Sequence, residues 1–195
     1  MNDTDTSLRL MVILTQPDGD SFETTATAIR YAGEGADLTL VTAAGGQHNW
    51  SGSPREVVTL QSVGGNLDQV EPERIICEFV AHMRRVQPHV VITSGPHDGR
   101  FDPDRPAISQ FATAAVMPAA DPRYGHTCCS RRPDVVSKLY YTAGGNSITT
   151  RIGAGERAPG DTYYRAFSIV NGGRALETDL FEGLRQRTSH LAIAA

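Results

Sequence analysis

The sequence predicts a single α/β domain, a doubly wound, mostly parallel sheet with helices on both faces. Short apolar runs, of the kind carried by strands buried on both faces, alternate with helical stretches. The chain has 195 residues, a one-domain length that can bury a core without staples. Polar loops punctuated by proline and glycine follow the first and third strands, where open α/β sheets bind ligands.

The elements follow in order. Leu8 to Thr15 is a continuous apolar run and reads as a buried strand. Ser21 to Tyr31 reads as a helix, with Ser21 near its N-cap and Gly33 beyond its end. Asp37 to Thr42 is a second strand, and Ala43 to Gly46 a loop of small residues. Val57 to Val63 fits either a strand or a short helix. Pro72 to Val86 is a helix: proline suits its first turn, and Ile75, Ile76, Phe79, Val80 and Met83 share one side. His89 to Thr93 is a third buried strand, and Pro106 to Met117 a helix. Val135 to Tyr141 and Thr162 to Val170 read as strands, and Glu177 to Arg187 as a terminal helix. One domain over 1–195 is expected, with 1–7 and 188–195 as flexible tails.

Composition excludes several classes of function. Hydrophobic residues make up 39% and charged residues 21%, the balance of a globular protein rather than a disordered chain. The net charge of -4 argues against non-specific nucleic-acid binding. No apolar run approaches the roughly 18 residues of a membrane span. The polar start, Met1 to Ser7, lacks the features of a secretory signal. Cys77, Cys128 and Cys129 form no regular framework, so all three are expected as reduced thiols in a cytoplasmic protein. His126, Cys128 and Cys129 are soft-metal donors, but no second Cys/His pair stands at zinc-site spacing. There is no G-x-G-x-x-G after a strand, no Walker A lysine and no G-x-S-x-G elbow. Arg84-Arg85 and Arg131-Arg132 read as solvated surface pairs.

Chemistry is expected in two acidic loops. Gln16-Pro17-Asp18-Gly19-Asp20 follows the first strand, and His97 to Arg105 follows the third. Asp18, Asp20, Asp102 and Asp104 would converge at one sheet edge. Crowded carboxylates raise one another's pKa and can poise an acid or base near neutrality. The alternative is that these are Asx turns and helix caps, which such loops commonly hold. His48, Trp50, His97, Arg100 and Gln16 are the candidate substrate contacts. A lone tryptophan such as Trp50 also serves as plain packing.

The collinear motifs carry a resemblance. Gln16-Pro17-Asp18-Gly19-Asp20 after a buried strand resembles the His-Pro-Asp-Asp-Glu signature of the LmbE-like/PIG-L deacetylase family. The spacing to Val41-Thr42-Ala43 and then to Pro88 to Thr93 fits that family. Phe101-Asp102-Pro103-Asp104-Arg105-Pro106-Ala107 resembles its Gly-His-Pro-Asp-His-x-Ala signature. Val136 to Tyr141 resembles a later strand of the family, and Glu177 to Leu184 its tail. The resemblance spans nearly the whole chain and implies a Rossmann-like fold.

It also implies roles. Members are zinc enzymes that remove acetyl groups from amino sugars and related small molecules. Asp18 stands at the general base, and Asp20 replaces a glutamate. Asp102 stands at a histidine that stabilises the oxyanion, and Asp104 matches the motif's aspartate. Gln16, Gly19 and Arg105 stand at the three zinc ligands. Glutamine offers only a weak amide oxygen, glycine offers nothing, and arginine is a permanent cation. The family's Arg-x-x-Glu helix is reduced to Arg55-Glu56.

Three readings follow from that loss. The first is a metal-free small-molecule enzyme, tailoring a specialised metabolite, with Asp18, Asp20, Asp102 and Asp104 as acid/base candidates and Arg105 in place of the metal charge. The second is a non-catalytic binding or partner protein. The third is a deacetylase with ligands rebuilt from His97, Asp98, Asp102 and Asp18. No cofactor is expected under the first. A small-molecule substrate and a possible homo-oligomer are expected; nucleic acid and membrane are not.

Overall fold

A computed structural model describes residues 7–16, 22–43, 54–60, 67–96, 103–124, 129–142, 150–153, 161–168, 179–181 and 184. The elements run β1 (Arg9–Leu14), α1 (Phe22–Gly33), β2 (Asp37–Thr42), β3 (Glu56–Thr59), α2 (Pro72–Val86), β4 (Val90–Thr93), α3 (Asp104–Ala120), β5 (Lys138–Thr142), β6 (Thr150–Gly153) and β7 (Asp161–Ser168). Short 3₁₀ turns occupy Leu67–Gln69 and Pro122–Tyr124. The sheet order is β3-β2-β1-β4-β5-β7-β6. β1 to β5 pair in parallel, while β7 runs antiparallel to β5 and β6 antiparallel to β7. The doubly wound, mostly parallel sheet is as expected. β6 was not foreseen, because Thr150 to Gly153 is short and carries no apolar run.

The period of two along each strand divides the core. Met11, Ile13, Val41, Val91 and Leu139 face one side, where Phe79, Val80, Met83, Ile108, Ala112 and Ala115 of α2 and α3 cover them. Leu10, Val12, Leu14, Leu38, Leu40, Val90, Ile92 and Tyr140 face the other, under Ala28 and Tyr31 of α1 and Leu180, Phe181 and Leu184. Burial on both faces is why Leu10 to Leu14 of β1 reads as an unbroken apolar run.

Helix ends explain where the expected bounds move. α1 closes through Gly35, whose φ of 90° suits glycine; its N–H bonds the Ala32 carbonyl, and the Ala36 N–H bonds that of Tyr31. α2 has the bounds read from the sequence. Gln87 ends it in the left-handed region with its N–H on the Met83 carbonyl, and Pro88 cannot continue it. α3 runs longer than Pro106 to Met117, beginning at Asp104 and carrying Pro118 inside its last turn. The Val57 to Val63 segment resolves as a strand, β3, over Glu56–Thr59; 61–63 lie outside the described residues. Of the expected terminal helix, Leu180 and Phe181 form a turn, Asp179 precedes it and Leu184 is helical; the rest of Glu177 to Arg187 lies outside the described residues.

Arg84 is not a surface residue. It is 3% exposed, and its guanidinium donates to the carbonyls of Ala119, Pro118 and Asp121 at 2.9, 3.0 and 2.6 Å. Those carbonyls lie at and just past the end of α3, beyond the reach of its i+4 N–H donors. Its neighbour Arg85 reaches both oxygens of Glu56 at 2.8 and 2.7 Å. Arg55 pairs with Asp37 at 2.8 Å. Arg55 and Glu56 therefore brace the β3 edge. A second correction concerns Cys77 of α2, which is disulfide-bonded, while Cys129 carries a free thiol. Spacing along the chain does not report which sulfurs meet in space, so the thiol-based argument for a reducing compartment no longer stands.

The tail motif docks on the α1 face. The Tyr31 hydroxyl donates to Asp179 Oδ1 at 3.1 Å and accepts the Leu180 N–H at 2.8 Å. Phe181 meets the Tyr31 ring edge-on at 5.3 Å. Burial pushes the Tyr31 phenol well above its ordinary pKa. At the other end, the Ser7 hydroxyl donates to Asp37 at 2.6 Å, so Ser7 is held. No helix among the described residues is long and apolar enough to cross a membrane.

Candidate functional site

The sheet order reverses between β1 and β4, which opens a crevice at their carboxyl ends. Parallel pairing continues just past the strands: the Ala43 N–H donates to the Leu14 carbonyl at 3.1 Å, and the Leu60 N–H to that of Thr42 at 2.8 Å. On the far side the Gly95 N–H donates to Thr142 Oγ1 at 3.0 Å. Thr15, Ser94 and Gly95 are buried, and Gln16 is exposed. Thr42 stands beside Leu14 and Thr93 beside Ile13 in the sheet register. Both hydroxyls are sealed from solvent without a hydrogen-bond partner.

The second acidic loop leads into α3, and its last two candidates lie in the first turn of that helix. Asp104 suits this position, because a negative charge complements the helix N-terminus. Its Oδ1 accepts the Leu67 N–H at 2.9 Å, joining the 3₁₀ turn to α3. Arg105 is half-buried, and burial lowers its pKa from the usual guanidinium value. It remains a cation at neutral pH. Gln16 lies two residues beyond β1, and Asp104 and Arg105 open α3. Asp18, Asp20, Asp102, His48, Trp50, His97 and Arg100 lie outside the described residues. Thr142 and Gly95 were not singled out from the sequence. Their signal was the position at strand ends, and nothing in their residue type marked them.

The resemblance implies a zinc ion held by the positions of Gln16, Gly19 and Arg105. Gln16 presents an exposed amide, Gly19 has no side chain, and Arg105 brings a half-buried positive charge to the third position. A tri-liganded zinc site needs imidazole, thiolate or carboxylate donors, and these three positions supply none. The donor set does not fit. Among the described residues no three His, Cys, Asp or Glu side chains cluster as metal donors do.

No family model matches the chain. A curated relative, the 1D-myo-inositol 2-acetamido-2-deoxy-alpha-D-glucopyranoside deacetylase of Rhodococcus erythropolis, is 25% identical over 180 residues, covering 69% of this chain and 60% of its own. The chain therefore spans about 60% of the length of that relative. Among solved structures, the N,N'-diacetylchitobiose deacetylase of Pyrococcus horikoshii superposes with a TM-score of 0.62 at 12% identity, over 76% of this chain and 64% of its own. The 4-carboxy-2-hydroxymuconate hydratase of Pseudomonas putida superposes with a TM-score of 0.55 at 13% identity, over 72% and 67%. These likenesses are to the fold, and they agree with the motif order along the sequence. In motif order, sheet topology and sequence, the chain is thus similar to sugar deacetylases of this fold.

Proposed function

We propose that this chain is a small-molecule enzyme that works at the former deacetylase crevice without zinc, by carboxylate acid–base chemistry. The observation that carries the reading is Arg105, a half-buried cation in the first turn of α3 at a position the family gives to a zinc ligand. A cation about 4 Å from a developing oxyanion contributes roughly 4 kcal/mol at an effective dielectric of 20. Asp18, at the family's base position, takes a proton from water; Asp20 or Asp102 returns one to the leaving or product atom.

The relatives suggest the substrate class. One is named for removing an acetyl group from an amino sugar derivative and one for hydrating an unsaturated acid. Both reactions add water to a carbon activated by a carbonyl, with negative charge growing on oxygen. One fold can host both, because function lies in the site rather than the architecture. The substrate proposed here is accordingly a small acyl- or carboxyl-bearing molecule.

The test uses chelator-treated protein and two assays: acetate release from an N-acetylated amino sugar, and loss of ultraviolet absorbance from an unsaturated dicarboxylic acid. Turnover of one substrate should persist in the chelator and fall by about a hundredfold or more in Asp18→Asn and in Arg105→Met. Turnover lost to the chelator and restored by zinc would refute metal independence. Unchanged turnover in Asp18→Asn would refute the acid–base assignment.

A further inference from the structure

We propose that Asp104 is a positioning residue rather than an acid or base: its carboxylate, used as an acceptor, pins the 3₁₀ turn at Leu67 to the first turn of α3 and so fixes where Arg105 stands. The second half rests on the reading of Arg105 given above; the first does not. The Leu67 N–H opens a 3₁₀ turn, a place where no helical acceptor exists. Asp104 supplies that acceptor at 2.9 Å, from 37 residues along the chain. The Leu67 side chain is fully buried in the same core cluster as Ile108, one helical turn beyond Asp104. Hydrogen bond and apolar packing thus bind the same two elements at the same place, and Arg105 is the next residue along. The role needs an oxygen and no proton. Asparagine keeps the oxygen and cannot exchange a proton, so it separates the two roles.

The experiment compares Asp104→Asn, Asp104→Ala and Arg105→Met by amide hydrogen exchange at Leu67, and by titration with acetate as a carboxylate probe of Arg105. Asp104→Ala should speed Leu67 exchange by about tenfold, the loss of one hydrogen bond, and weaken acetate binding, while Asp104→Asn stays within about threefold of the parent in both. Leu67 exchanging as fast in Asp104→Asn as in Asp104→Ala would overturn the acceptor role, as would a protected Leu67 in Asp104→Ala. Arg105→Met should abolish acetate binding and leave Leu67 protected. Acetate binding retained in Arg105→Met would overturn the reading of Arg105 while the Asp104–Leu67 tie stands.

Discussion

Replacing Arg84 by methionine removes a buried guanidinium from the end of α3 and keeps most of the apolar stem. Three hydrogen bonds to carbonyls are lost, at 2.9, 3.0 and 2.6 Å. Bonds from an ionised donor contribute about 1.5–3 kcal/mol each, so the gross effect is large. Two effects reduce it. Each carbonyl keeps a backbone donor: the Asp134 N–H on Ala119, the Asp121 N–H on Pro118 and the Tyr124 N–H on Asp121. No acceptor is stranded, and the further penalty of about 1–3 kcal/mol per orphaned group does not arise. Burial of the guanidinium also costs several kcal/mol, which methionine does not incur. The interaction of a cation with the helix C-terminus, up to about 2 kcal/mol when partly buried, is lost outright. The expected net loss is about 2–3 kcal/mol, or a fall in Tm of about 4–12 °C for a chain of this size. Urea unfolding followed by far-ultraviolet circular dichroism measures it. Arg84→Lys should lose at least as much, because an ammonium stays buried without the fork that reaches three carbonyls. Stability of Arg84→Met within about 0.5 kcal/mol of the parent, at an unchanged m-value, would show that desolvation cancels the three bonds and would refute this account.

Three further outcomes are expected. Burial pushes the Asp134 carboxyl up to about 6, and its Oδ2 is sealed without a partner. A raised pKa means the folded state binds this proton more tightly, so stability falls as pH rises from about 4 to about 6. Asp134→Asn should flatten that slope in pH-dependent melts and, because the group is partly exposed, stabilise the neutral protein by only about 1 kcal/mol. Tyr31→Phe should cost about 1–3 kcal/mol, since it leaves the buried Leu180 N–H without its acceptor; limited proteolysis should then cut near 179–184 sooner than in the parent. Glu56→Gln should cost no more than about 1 kcal/mol, and that difference should shrink in high salt, because its pair with Arg85 is partly solvated.

The strands and helices were legible because each carries its own periodicity. β2 and α2 match their expected bounds, since Asp37 and Pro88 mark ends that a single sequence displays. β6 was not legible: Thr150 to Gly153 becomes a strand by pairing with β7, and pairing leaves no local trace. The site was readable only in part. The order of the Asp18 and Asp104 loops was visible, and so was the chemistry of Gln16, Gly19 and Arg105 as poor zinc donors. That Asp104 holds the Leu67 N–H was not, because the partners lie 37 residues apart.

The amino-acid sequence alone thus determined the α/β grammar and the place of the acidic loops after β1 and β4, which depend on residue type and local spacing. The poor zinc donors at three positions are what the family resemblance implies. Tertiary structure decided what each polar group meets. Arg84, read as solvated, caps α3; Cys77, read as a free thiol, is disulfide-bonded; the Asp104 carboxylate accepts the Leu67 N–H; Tyr31 receives the tail. A charge or hydroxyl declares what it can bond. Which donor or acceptor stands opposite is set by how α2, α3 and the sheet come together.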